Sequence, residues 1–97
     1  MSMMPMEPKI IIADVTKTHH IPLYRILLHN DSVNDMLHVM RALQEVFKLK
    51  DQDAARIMLE AHETGVALCS IEPLEKAELR QGQLQSFSLT ATIEPED

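Results

Sequence analysis

A change of apolar period within a few residues constrains this chain more than any other feature. Leu23-Tyr24-Arg25-Ile26-Leu27-Leu28-His29 is a near-continuous apolar run of strand length, ending at the turn-forming stretch Asn30-Asp31-Ser32-Val33-Asn34. Met36, Val39, Met40, Leu43, Val46 and Phe47 then recur at i, i+3, i+4, i+7, i+10 and i+11. That spacing puts one apolar stripe on a helix ending near Lys48, which must bury itself against the strand. Asn34 is the expected N-cap, with Asp35 in the first turn.

The rest of the chain supplies what a strand and a helix still lack. Asp51 caps a predicted second helix with Ala54, Ile57, Met58, Ala61 and His62 on one face, stopped by Gly65. Val66 to Ile71 reads as a strand. Pro73 suits the first position of a short third helix with Leu74, Ala77, Gln81 and Leu84 on one side, its final turn weakened by Gly82. Phe87, Leu89, Ala91 and Ile93 alternate with polar residues, as in a strand with one wet face. The order β-α-α-β-α-β predicts an α/β (α+β) two-layer sandwich, three strands with the helices on one face.

Ninety-seven residues allow one small domain. A formal charge of −6, with the basic residues scattered singly, argues against a nucleic-acid partner. No apolar stretch approaches the ~20 residues that span a bilayer, so no membrane partner is expected. The start, MSMMPMEPK, lacks the basic and apolar regions of a secretory signal, and the single cysteine fits a reducing, cytoplasmic setting. Residues 1–22, with Pro5, Pro8 and Pro22, read as a flexible N-terminal extension. Within it, residues 9–16 are β-branched enough to form an added edge strand, and the two readings stay open. Residues 23–94 form the expected core domain, and 95–97 a short acidic end.

Most catalytic signatures are missing. Two glycines cannot build a phosphate-cradling loop, and there is neither a Cys-x-x-Cys pair nor a His-Glu-x-x-His helix. No enzyme activity, metal or cofactor is expected. Cys69, in a predicted strand, reads as core rather than nucleophile, and the adjacent His19-His20 cannot complete a metal site alone. Asn30 and Asp31, where a strand breaks, and His62, on the second helix, are the remaining candidates. Each has an ordinary explanation: local turn bonding for the pair, a satisfied core histidine for His62. Together they also offer an amide oxygen, a carboxylate and an imidazole nitrogen, three acceptors that match the three donors of one ammonium group.

Three segments carry a resemblance. YRILLHND (24–31), ARIMLEAHETG (55–65) and LEKAEL (74–79), at matching spacing, resemble the ClpS adaptors of the Clp AAA+ protease. The similarity runs from Leu23 to about Glu94, and the shorter third helix is similar to cyanobacterial and plant-type members. The resemblance implies a fold like the C-terminal domain of the ribosomal stalk protein. It implies a monomer that binds destabilising N-terminal residues (N-degrons: Phe, Tyr, Trp, Leu) and delivers those chains to a Clp unfoldase of the ClpA or ClpC type. By position, Asn30, Asp31 and His62 match the residues that bind the substrate α-amino group. Met36, Val39, Met58, Ala61 and Leu89 match the hydrophobic pocket, and Glu75 and Arg80 the surface that meets the chaperone's N-terminal domain. Residues 1–22 match the extension that the unfoldase engages.

The chain departs from the family pattern at Ser32, where many members carry a second Asp, and at Asn34-Asp35, in place of Thr-Pro. His38 replaces a large apolar residue, and Ala61 a Val. Ser32 and His38 keep an alternative open: a ClpS-like regulator that binds the chaperone but has an altered or degenerate degron pocket. A further rival is an enzyme or metal protein built on His29, His38 and His62, with no nucleophile or complete ligand set in its favour.

Overall fold

Ile26 and Leu28 are the buried pair of the central strand, and the helices are arranged to cover them. The structure, a computed structural model, describes residues 21–96. The order is β1 (Leu23–His29), α1 (Met36–Phe47), α2 (Asp51–Thr64), β2 (Val66–Pro73), α3 (Leu74–Ser86) and β3 (Thr90–Pro95). The sheet is antiparallel throughout, with spatial order β2-β1-β3. The expected β-α-α-β-α-β two-layer sandwich is therefore the fold. The proposed extension, the possible strand at 9–16 and His19-His20 lie outside the described residues, apart from the exposed Ile21 and Pro22.

One core joins the layers. Ala42, Leu43 and Val46 of α1, Ala54, Ile57, Met58 and Ala61 of α2, and Ala77 and Leu84 of α3 pack with Ile26, Leu28, Ala67 and Ala91 of the sheet. Among the described residues the other sheet face has no second layer. Leu23 and Leu68 accordingly stay exposed and Leu27 half-buried, so β1 is less enclosed than its sequence predicts.

The helix ends show what local sequence could and could not decide. Asp35, not Asn34, is the N-cap of α1, its carboxylate accepting the His38 amide at 2.8 Å. Asn34 is diverted because its side-chain amide donates to the distant Ser88 carbonyl at 2.8 Å. Asp51 is the first residue of α2 rather than its cap; Lys50 takes the cap position without a side-chain bond. Gly65 ends α2 as expected, at φ 95°, a left-handed conformation that suits a residue without Cβ.

The third helix departs most. It runs through Gly82 to Ser86, and Pro73 precedes it as the cap. Leu74 is exposed, while Gln81 is half-buried and donates to the Ala91 carbonyl at 3.0 Å. Phe87, Ser88 and Leu89 form a turn, so β3 starts at Thr90 rather than Phe87. Ser88 has φ 67°, which breaks the alternation read from sequence.

In β2, Ser70 and Leu68 face consecutive residues Ile26 and Leu27, leaving Cys69 as the extra residue of a bulge. Burial pushes its thiol pKa up to about 12, so it is a packing residue and not a nucleophile. No helix among the described residues is long and apolar enough to cross a membrane.

Candidate functional site

The site forms where β1 stops. The Asn30 amide donates to the Gly65 carbonyl at 2.9 Å, tying the strand end to the cap of α2. His62 lies one turn before that cap, so Asn30 and His62 face the same opening. Because Ala61 takes the buried position, His62 is exposed at the rim; it is not a core histidine on the apolar face.

Asp31 begins the turn to α1. Its carboxylate accepts from the Val33 amide at 2.7 Å, the Asn34 side-chain amide at 3.2 Å and the Thr90 hydroxyl at 3.3 Å. These bonds, the Val33 amide foremost, hold its carboxyl below the ordinary 3.8 despite some desolvation. Asp31 is thus a turn-forming residue and a fixed negative charge at once.

Between these groups lies a hollow of about 420 Å³. Met58, Ala61 and Leu89 supply buried apolar wall, Val39 is half-buried, and Met36 stands exposed at the mouth. Asn30, Asp31 and His62 contribute the polar groups. All eight residues singled out for a pocket from sequence therefore surround one cavity. Leu28, His29, Ser32, Asn34 and Asp35 also line it and were not singled out for it. An apolar cleft with a few convergent polar groups is the usual form of a small-ligand site.

The histidines do not form a cluster. His29 bonds Thr92 Oγ1 at 2.7 Å on the sheet, and His38 reaches the Phe87 carbonyl at 2.7 Å, away from the hollow. Among the described residues no three His, Cys, Asp or Glu side chains group as metal ligands would.

Glu75 and Arg80 lie apart from the hollow, on α3. Glu75 is exposed in the first turn. Arg80 is turned inward: Nη1 donates to the Val46 carbonyl at 3.2 Å, Nε lies 3.6 Å from Glu72 Oε1, and the guanidinium sits 6.0 Å from the Phe47 ring centroid. Its spacing on a helix gave no sign of this, because the partners come from α1 and β2.

Comparison with known proteins agrees with this architecture. Residues 19–92 match the family described as ATP-dependent Clp protease adaptor protein ClpS. The chain is 51% identical over 77 residues to the ClpS adapter of Synechococcus sp. (strain CC9902), covering 78% of this chain and 74% of that one. It is 45% identical over 86 residues to the adapter of Synechococcus elongatus, covering 84% and 87%. A chloroplastic adapter of Chlamydomonas reinhardtii is 44% identical over 75 residues, 76% of this chain and 46% of that one. The solved structure of Agrobacterium tumefaciens ClpS2 bound to L-phenylalaninamide superposes with a TM-score of 0.74 at 28% identity, over 79% of this chain and all of that one. With fold and sequence agreeing, the chain belongs to the ClpS family, and it is an adaptor of the ATP-dependent Clp protease rather than an enzyme.

Proposed function

We propose that the hollow reads the first residue of a substrate chain, an N-degron beginning with Phe, Tyr, Trp or Leu. The observation that carries this reading is the convergence of Asn30, Asp31 and His62 at the mouth of an apolar cavity of about 420 Å³. An α-ammonium has three donors and no acceptor, and these groups are three acceptors, the imidazole only when neutral. Bonds between the ammonium and a carboxylate are charge-assisted, about twice as strong as neutral ones. Burying one Leu or aromatic side chain adds roughly 1.5–3 kcal/mol. Internal residues of a protein have no free ammonium, so the two parts together select a chain terminus. The related Agrobacterium protein bound to L-phenylalaninamide holds a ligand of this chemistry, an aromatic side chain beside a free amine.

Delivery follows from the adaptor class. The α3 surface bearing Glu75 and Arg80 meets the N-terminal domain of a Clp AAA+ chaperone of ClpA or ClpC type. Residues 1–22 are the extension engaged by the unfoldase, and 23–94 the monomeric core that carries the degron.

A Phe-initiated fluorescent peptide tests this against the same peptide acetylated at its N-terminus. Tight binding of the free amine and none of the acetylated form is expected; equal binding of both sinks the reading. The alternative regulator with an altered pocket rests on Ser32, which does line the hollow where a second carboxylate is usual. It predicts chaperone binding with neither peptide retained.

A further inference from the structure

Three of four consecutive residues after α3 are hydrogen-bonded to the segment that opens α1, and the fourth is a wall of the hollow. The Phe87 carbonyl accepts from His38 Nε2 at 2.7 Å, and the Ser88 carbonyl from Asn34 Nδ2 at 2.8 Å. Leu89 is buried in the hollow, and Thr90 donates to Asp31. Asn34, just before the N-cap Asp35, and His38, in the first turn of α1, reach these adjacent carbonyls. A carbonyl acceptor requires that His38 carry its proton on Nε2. The amides of Phe87, Ser88 and Leu89 are already bonded back to α3, at the carbonyls of Leu84 and Gln85. The carbonyls of Phe87 and Ser88 instead accept from His38 of α1 and from Asn34 just before it. The edge of the His38 ring also packs on Phe87, with centroids 6.2 Å apart.

We propose that His38, with Asn34, is a positioning residue for degron selectivity. This clasp sets how far the Leu89 wall stands from Met36 and Val39, and so the size of first side chain the hollow accepts. The inference rests on the degron reading above. His38 does not line the hollow, so it acts only through the wall it holds. With the clasp open, the wall can retreat and larger first residues gain over smaller ones.

The test compares His38→Phe, which keeps a ring against Phe87 but lacks the donor, with His38→Gln, which restores an N–H at similar reach. Affinities are measured for free-amine peptides beginning with Leu, Phe and Trp. His38→Phe is expected to shift the Trp-to-Leu affinity ratio toward Trp by about fivefold or more, within the range that pocket-size changes produce. His38→Gln should stay within about twofold of the wild-type ratio. An unchanged ratio in His38→Phe, or a His38→Gln ratio shifted equally, overturns the proposal. If His38→Phe does not fold, His38→Leu, which also lacks the donor at a position that does not line the hollow, is judged by the same ratio. A wild-type chain that binds none of the three peptides sinks the degron reading itself, and this proposal with it.

Discussion

Asp31 and Thr90 are 59 residues apart in the chain, yet Thr90 Oγ1 donates to Asp31 Oδ2 at 3.3 Å beside the mouth of the hollow. The same carboxylate closes its own turn through the Val33 amide. One side chain thereby joins the end of β1, the start of α1 and the start of β3. Its charge serves local folding as well as any ligand.

These bonds make Asp31 pH-sensitive in a defined sense. Its native pKa is lowered, so its contribution to stability is fully present above the ordinary carboxylate value, about pH 4, and is lost as pH falls through the lowered native value. The difference in Tm between wild type and Asp31→Asn should hold constant from pH 8 to 5 and shrink below about pH 4. A difference that persists unchanged at strongly acid pH would remove the ionised carboxylate from the turn.

Met36 stands exposed at the mouth; on the proposed degron reading a branched Cβ of the first residue would press against it. Met36→Ala should therefore raise affinity for Ile- and Val-initiated peptides about tenfold while changing Phe binding less. Peptide titration by fluorescence polarisation reads this directly; no gain for Ile or Val puts the filter elsewhere.

Ala61 is buried in the wall on α2. Ala61→Val adds two methyl groups to that wall and should lower the Trp-to-Leu affinity ratio, at a stability cost of about 1–3 kcal/mol if the core does not relax. Isothermal titration with the two peptides would settle the direction. A ratio that rises, or does not move, would mean that Ala61 does not limit the hollow's depth.

Gly65 sits at φ 95°, and a Cβ there would meet nothing within 4 Å, so the cost of Gly65→Ala is conformational rather than steric. A loss of about 1 kcal/mol is expected, seen in thermal melts as about 4–8 °C for a domain of this size. Because its carbonyl holds the Asn30 amide, peptide affinity should fall along with Tm.

Glu75 and Arg80 should separate in their effects. Arg80→Ala leaves the Val46 carbonyl and Glu72 without their partner and is expected to cost about 1–2 kcal/mol in urea unfolding. Exposed Glu75→Ala should stay within about 0.5 kcal/mol. If both serve the chaperone surface, both variants weaken capture by a Clp N-terminal domain. Retained capture by Glu75→Ala would remove the first turn of α3 from that contact.

Much of this protein is written in nearest-neighbour terms. The stripe from Met36 to Phe47, the run from Leu23 to His29 and the stop at Gly65 each depend on residues within a turn or two. Element order and layer architecture were therefore legible without coordinates. Eight of the thirteen residues that line the hollow were legible as candidates as well, because the segments around Asn30, Met58 and His62 keep a family's pattern and spacing. Several of the misread positions involve a partner far along the chain. Asn34 and Asp35 are equally able caps by type, and Ser88, 54 residues away, takes one of them and leaves the other. Arg80 points inward because Val46 and Glu72 meet it there. Phe87 to Leu89 alternate like a strand, but their amides bond back to Leu84 and Gln85 as a turn, whose outward carbonyls accept from His38 and Asn34. Backbone periodicity is a local property of a chain, whereas the competition of one donor among several acceptors is decided only once distant segments share a surface.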